Sequence, residues 1–274
     1  MSSSKQRLAS LAQAAAFPKR GRSAPGAGST LYYKGGPVLA NPELVPLFLG
    51  PFTAVELWYM LIYLWGFADY LTSWTGAPLG MLPTVFQYGV YGATVGPFWI
   101  DEQASGDTTL ADLRNVILPL QNQGNLPPFG PQRLFLIFTK GIAIKELQSP
   151  QDDPFAATCG EHDQWGAGEY YAVCPLPDGL CRLWLAIKDP FAHTMAAWQS
   201  HTSHEILEAA TDPVPGTGWI TGFGDEGADP AFGQIDQLSF GAVQRFVDNR
   251  QGTLSVFTPV QFDFGSWRAF GVGI

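Results

Sequence analysis

The pattern of apolar and polar positions along the chain predicts both strands and helices. Residues 133–139, RLFLIFT, form a short continuous apolar run, which is typical of a buried strand. Residues 44–49 suit an edge strand, because Pro46 has no backbone N–H to donate to a neighbour. Further strands are predicted at residues 84–91, 169–173 and 183–187.

Three longer segments predict helices. Residues 53–70 are apolar nearly all round, and Thr53 with Glu56 matches the capping box that begins a helix. The run between Glu56 and Asp69 is shorter than the roughly 20 residues a membrane span needs, so a buried helix is predicted. Two further helices are predicted, over residues 108–118, with Asp107 as N-cap and Pro119 after its end, and over residues 191–211.

Helices mixed with strands, without an internal repeat or a clean boundary, predict a single α+β domain over residues 30–274. Residues 1–29 are expected to form a separate basic arm that ends in a Gly/Ser/Ala linker. Residues 3–16 of this arm have helical periodicity. The arm and the aromatic helix at residues 53–70 are therefore candidates for contacts within a homo-oligomer.

Charge narrows the classes of partner. The chain has 15 Lys and Arg and 24 Asp and Glu, so its formal net charge is −9. This balance argues against a general nucleic-acid binder, which needs a basic face. The basic start lacks the continuous apolar core of a secretory signal, which predicts a cytoplasmic protein.

The three cysteines, Cys159, Cys174 and Cys181, do not have the spacing of a disulfide scaffold or of a thiolate zinc site. Two arrangements are open, either one disulfide with a free thiol or three reduced thiols.

Candidate chemistry is concentrated in the last predicted helix, at SHEILEAATDP. His204 and Glu208 are four residues apart and therefore project from one helix face. Glu205 follows His204, at the position of the general base in an H-E-x-x-H metalloenzyme. Asp212 precedes Pro213 at the predicted helix end, where a third metal ligand is expected. The alternative is a solvated helix face, with Asp212 as a turn former.

Other histidines and acids are weaker candidates. His201 is either a fourth ligand or a surface residue, and His193 is predicted to be structural or exposed. His162 lies in the Gly-flanked segment CGEHDQWG, predicted to be a loop, and either has a functional role or caps local carbonyl groups. The acids at 225, 226 and 229 either close a metal site from its far side or form an ordinary acidic loop.

Several blocks resemble the Exordium-like (phosphate-induced protein) family. They are YYKGGPVLANPELVPLFLGPFT at residues 32–53, then RLFLIFT, CGEHD and SHEILEAATDPVPGTGW. The resemblance covers about residues 31–229, and the last block is similar to a signature of microbial members. It implies a zincin-like fold, in which a mixed β-sheet accompanies a central motif-bearing helix.

The resemblance also implies roles for individual residues. His204 and Glu208 would be metal ligands, with Asp212 or Asp229 as the next ligand, and Zn²⁺ as the metal. Glu205 would be the general base, and His162 would face the same site. Members of the family are usually secreted, which is the alternative to a cytoplasmic location.

The leading hypothesis is a zinc-dependent hydrolase that acts on a peptide, an amide or a small apolar substrate. A lyase or isomerase reaction at the same metal is one alternative. A non-catalytic binding or assembly protein is the other, and it predicts that Glu205→Gln leaves every function intact.

Overall fold

The computed structural model describes residues 30–72, 84–147, 159–176, 189–238, 240–249 and 253–254. Its helices are α1 (Ala54–Thr72), α2 (Leu110–Asn122) and α3 (Pro190–Thr211). Its strands are β1 (Leu31–Tyr33), β2 (Glu43–Leu49), β3 (Thr94–Val95), β4 (Trp99–Asp101), β5 (Arg133–Thr139), β6 (Glu161–Gln164), β7 (Tyr170–Pro175), β8 (Trp219–Thr221), β9 (Ile235–Leu238), β10 (Gly241–Gln244), β11 (Val247–Asp248) and β12 (Thr253–Leu254). The predicted mixture of helices and strands is therefore confirmed.

Six strands form the central sheet, in the order β3-β2-β5-β7-β6, with β4 also pairing with β2. All neighbours are parallel except β6, which runs antiparallel to β7. The strand predicted from RLFLIFT is confirmed as β5, which lies in the middle of this sheet between β2 and β7.

The sheet is covered on both faces, which explains why its central strands are continuously apolar. Along β5, Leu136 and Phe138 belong to one buried cluster, to which α1 and α3 also contribute apolar side chains. The alternate residues Phe135 and Ile137 belong to a second cluster, which α2 supplies. Helices therefore pack on opposite faces of the same sheet.

Pro46 does not place β2 at the edge of the sheet, so that prediction is wrong. Strand β2 pairs with β5 on one side and with both β3 and β4 on the other. The missing N–H of Pro46 faces the second side, because Leu44, two residues earlier, accepts a hydrogen bond from Gly96 there. Since β3 ends at Val95 and β4 begins at Trp99, Pro46 lies opposite the gap between these two short strands.

The capping box predicted at the start of α1 is confirmed. Thr53 N–H donates to Glu56 Oε2 at 2.7 Å, and Glu56 N–H donates to Thr53 Oγ1 at 3.3 Å. The helix is not buried all round as predicted, however. An outward face carries exposed apolar side chains at Val55, Trp58, Tyr59 and Trp65.

Two local predictions differ from the structure. Helix α2 has Thr109 rather than Asp107 as its N-cap, and Pro119 lies inside the helix, which continues to Asn122. The predicted strand at residues 84–91 is a 3₁₀ helix over Thr84–Tyr88. The predictions for residues 1–29 and 183–187 fall outside the described residues.

The predicted helix at residues 191–211 is confirmed as α3, and every residue from Met195 to Thr211 is buried. One side of α3 packs on the central sheet, where Trp198 Nε1 donates to the Cys174 carbonyl of β7 at 2.9 Å. The opposite side packs on β10, whose Gln244 N–H donates to Ser203 Oγ at 2.9 Å. Because α3 lies between two sheets, even its polar side chains are removed from water.

The cap of α2 gives a direct test of this local structure. Thr109→Ala removes the side-chain acceptor for Asp112 N–H, so we expect it to lower the free energy of unfolding by about 1 kcal/mol. Asp107→Ala is the matched control. Asp107 is exposed, and we expect its replacement to change stability by less than about 0.5 kcal/mol. Urea denaturation of both variants measures the difference, and the reverse order would contradict the assignment of the cap.

Candidate metal centre

Three titratable side chains project from the buried middle of α3. His204 Nε2 lies 3.0 Å from Glu208 Oε2, as the predicted four-residue spacing requires. His204, Glu205 and Glu208 are 8%, 6% and 2% exposed. The alternative of a solvated helix face is therefore excluded, because these side chains are removed from water. Buried carboxylates need partners, since they are rarely buried without them.

Strand β6 brings His162 to the same place. This segment was predicted to be a loop, but it is the antiparallel edge strand of the central sheet. His162 Nδ1 lies 3.3 Å from Glu205 Oε2 and 4.0 Å from Glu208 Oε2. On its other side, His162 Nε2 lies 3.2 Å from Glu226 Oε1 and 3.1 Å from the carbonyl oxygen of Asp212.

The acidic loop after β8 closes the cluster. Glu208 Oε1 accepts hydrogen bonds from the backbone N–H groups of Ala228 and Asp229, at 3.0 and 3.2 Å. These bonds hold the loop against α3, so that Asp229 Oδ1 lies 3.8 Å from His204 Nε2. The acids at 226 and 229 thus lie on the far side of the cluster, one of the two arrangements expected from the sequence.

Two overlapping groups of side chains have the geometry to hold a cation. One ring nitrogen of His204 and one oxygen each of Glu208 and Asp229 lie within 4.8 Å of one another. The same holds for His162, Glu208 and Glu226. Glu208 belongs to both groups and is the centre of the cluster. The sequence predicted the members of the group that contains His204. It gave no reason to choose Glu226 over the other acids of the same loop as a member of the group that contains His162.

The carboxylates set the charge of the two imidazoles. Burial by itself lowers the pKa of His204, but Glu208, Glu205 and Asp229 outweigh it and raise the pKa to about 10. The pKa of His162 is likewise raised well above its ordinary value, because Glu226 and Glu205 outweigh burial. Burial raises the pKa of Glu208 to about 8, against the opposing effect of His204. Protons and metal ions therefore compete for these side chains.

Asp212 has a different role from its predicted one. Its carboxylate accepts three backbone hydrogen bonds, from Gly216 at 2.7 Å, Thr217 at 3.0 Å and Gly218 at 2.6 Å. Both oxygens are thus occupied, and Asp212 belongs to neither group with cation-binding geometry. This arrangement agrees with the alternative in which Asp212 forms the turn after the helix.

His201 is buried rather than a surface residue, at 2% exposure. Neither of its ring nitrogens has a hydrogen-bond partner among the described residues. Burial, assisted by His204, lowers its pKa to about 3, so it is neutral at physiological pH. Its ring stacks on Phe232, which also contacts the ring of His204 edge to face. No pattern in the sequence had pointed to Phe232. The fourth histidine, His193, is half-buried in the first turn of α3.

The segment that leads into β6 packs closely against Glu205. A Cβ at Gly160 would lie 2.5 Å from Glu205 Oε1, so only glycine fits beside this carboxylate without a shift. The preceding residue, Cys159, is disulfide-bonded, whereas Cys174 is a free and buried thiol. Of the two arrangements expected for the cysteines, one disulfide with a free thiol agrees with these states. Cys181 lies outside the described residues.

The fold and the cluster define a mixed α/β protein with a buried histidine–carboxylate centre. Comparison with protein-family models, with curated proteins and with solved structures gives no match to this chain. The resemblance to the Exordium-like family therefore stays a prediction. Among the described residues, no helix has the length and apolarity needed to cross a membrane, in agreement with the sequence.

Asp212→Ala tests the structural role of this carboxylate. The change leaves three backbone N–H groups without their acceptor, of which that of Gly218 is buried, so we expect the free energy of unfolding to fall by about 1–3 kcal/mol. Denaturation of the metal-stripped protein measures this loss without interference from ligand binding. Metal-loaded Asp212→Ala, at a temperature where it is folded, should keep the zinc content of the wild type. Loss of zinc with unchanged stability would instead make Asp212 a ligand.

Proposed function

We propose that the chain is a metal-dependent hydrolase whose metal is held by His204, Glu208 and Asp229. The observation that carries this proposal is the convergence of their three ligand atoms, two of them on buried residues of α3 and the third on the exposed Asp229. An imidazole nitrogen with two carboxylate oxygens is a donor set that Zn²⁺ accepts. Zinc is therefore the metal we propose.

The donor set fits a metal in two further respects. Glu208 is oriented before any ligand arrives, because its Oε1 is held by two backbone N–H groups while Oε2 faces His204. His204 turns the same ring nitrogen, Nε2, toward both carboxylates, at 3.0 Å from Glu208 Oε2 and 3.8 Å from Asp229 Oδ1. Since Asp229 is half-exposed, the site also has a side open to solvent.

A metal bound there would polarise a substrate carbonyl and lower the pKa of a coordinated water. Glu205 is placed to act as the general base that takes a proton from water, because it is adjacent to His204 on the same helix. His162 Nδ1, at 3.3 Å, orients the Glu205 carboxylate. Gly160 leaves room for that carboxylate on its other side. We therefore assign Glu205 to proton transfer and His162 to positioning it.

We propose that the fold is zincin-like, and the presence of a mixed sheet beside a motif-bearing helix supports this proposal. Of the predicted substrate classes, a peptide is favoured by the position of β6. This strand is the last of the six-stranded sheet and carries His162. An extended peptide can pair with a strand edge through its main chain. Such a peptide would lie beside the cluster.

The disulfide at Cys159 bears on location. Disulfides persist in oxidising compartments and are rare in the cytosol, and Cys159 is disulfide-bonded next to Gly160. This supports the secreted alternative over the cytoplasmic prediction. An oxidising compartment would also preserve this disulfide, which lies two residues before β6.

Zinc content tests the metal site. We expect zinc-loaded wild-type protein, after removal of free metal, to retain zinc by mass spectrometry. His204→Ala should retain at least one ion fewer per chain, because it lacks a first ligand. His193→Ala is the matched control on the same helix, and its zinc content should equal that of the wild type. A wild-type protein that retains no zinc would reject the metalloenzyme proposal.

Glu205→Gln tests the general base. With fluorescence-quenched peptide libraries as substrates, we expect kcat to fall by about 10²–10⁴-fold, while zinc content stays at the wild-type level. The amide keeps the size of the side chain but cannot accept the proton. If Glu205→Gln hydrolyses the substrate as fast as the wild type does, Glu205 is not the general base. Metal-binding wild-type protein without hydrolysis would favour the lyase, isomerase or non-catalytic alternative.

A further inference from the structure

Glu208 lies between the two imidazoles of the cluster. Its Oε2 atom is 3.0 Å from His204 Nε2 and 4.0 Å from His162 Nδ1. Its Oε1 atom is occupied by the N–H groups of Ala228 and Asp229. A single carboxylate is thus shared by two histidines that come from different elements, α3 and β6.

Each imidazole also has a carboxylate of its own. Asp229 lies on the His204 side and Glu226 on the His162 side, at 3.8 and 3.2 Å. Within each group the ligand atoms are no more than 4.8 Å apart. In a tetrahedral zinc site with bonds of about 2.0–2.2 Å, two ligand atoms are about 3.3–3.6 Å apart. The side chains of either group would therefore close by up to about an ångström to bind an ion.

The surroundings of His162 Nε2 require a cation. A neutral His162 that donates its Nδ1–H to Glu205 presents the lone pair of Nε2. Two oxygen acceptors face that lone pair, Glu226 Oε1 at 3.2 Å and the Asp212 carbonyl at 3.1 Å. Three acceptors in contact repel one another unless a proton or a metal ion lies among them. A second metal ion at this position would replace that proton.

The charge balance also points to more than one ion. Besides Asp212, which its three backbone donors hold, four carboxylates face the cluster, those of Glu205, Glu208, Glu226 and Asp229. The ion pairs that Lys and Arg form among the described residues join other acids, namely Glu43, Glu56, Glu169 and Asp236. One divalent ion at His204 and a proton on His162 would leave one uncompensated negative charge on these four carboxylates, which is costly in a largely buried site. Two divalent ions with neutral imidazoles would balance all four.

We propose that the cluster binds two divalent metal ions that share the Glu208 carboxylate. One ion lies on the His204 side with Asp229, and the second lies on the His162 side with Glu226. The second ion rests on the proposed metal site, since both use Glu208. Two-metal sites with ions about 3.5–4 Å apart stabilise both the attacking and the leaving oxygen of a displacement. The second ion therefore makes this a dinuclear centre.

Metal stoichiometry tests the proposal. We expect zinc-loaded wild-type protein to bind two ions per chain, by calorimetric titration with Zn²⁺ and by mass spectrometry of the loaded protein. Glu226→Gln and Asp229→Asn should each bind one ion. Asp225→Asn is the matched control in the same loop. The Asp225 carboxylate accepts a hydrogen bond from Thr221, so this variant should bind two.

Manganese distinguishes a shared carboxylate from two independent sites. Two Mn²⁺ ions bridged by Glu208 should be exchange-coupled, so the wild-type protein should lack the six-line EPR signal of an isolated ion. Glu226→Gln should restore that signal at one ion per chain. Uncoupled spectra at two ions per chain would reject the bridge.

The remaining outcomes are equally informative. One ion in both the wild type and Glu226→Gln would overturn the second site, and His162 with Glu226 would then be an internal ion pair. Absence of any bound ion would overturn the proposed function as well, so the two failures are distinct. If Glu226→Gln does not fold, the wild-type stoichiometry and manganese spectrum still decide the question.

Discussion

The burial of carboxylates on α3 is the constraint on which the rest of the structure depends. Strand β7 covers one side of the helix and β10 covers the other. The Glu208 residue is therefore only 2% exposed to solvent. A carboxylate in such a place must find hydrogen-bond donors or a cation, because the loss of its hydration is not otherwise offset. The structure brings both kinds of partner to α3, from elements that are distant along the chain.

The carboxylates also order the backbone around them. Glu208 holds the loop at Ala228 and Asp229 through two N–H groups, and Asp212 holds the turn at residues 216–218 through three. The loop held in this way carries Glu226 and Asp229 into the cluster. Stability and metal binding are therefore linked, because Glu208 both organises the loop and supplies a ligand atom. Metal binding should in turn stabilise the fold.

Local signals in the sequence were sufficient where the structure itself is local. The apolar run RLFLIFT predicted β5, and Thr53 with Glu56 predicted the start of α1. Other predictions were wrong, either because a tertiary neighbour decided the outcome or because a helix end was misplaced by a few residues. Pro46 fits an inner strand only because it lies opposite the gap between the short strands β3 and β4. The N-cap of α2 lies at Thr109 rather than Asp107, a shift of the size expected for helix ends.

The sequence by itself determined that His204 and Glu208 share one helix face, because the helical period of 3.6 residues is a local property. It also supplied the acidic loop and the histidine of the CGEHD block as candidates. Only the tertiary structure decided that this face is buried, that Glu226 pairs with His162, and that Asp212 is occupied by backbone donors. Burial and these contacts depend on the order of strands in the sheet and on the packing of β10, neither of which is encoded in a short stretch of sequence.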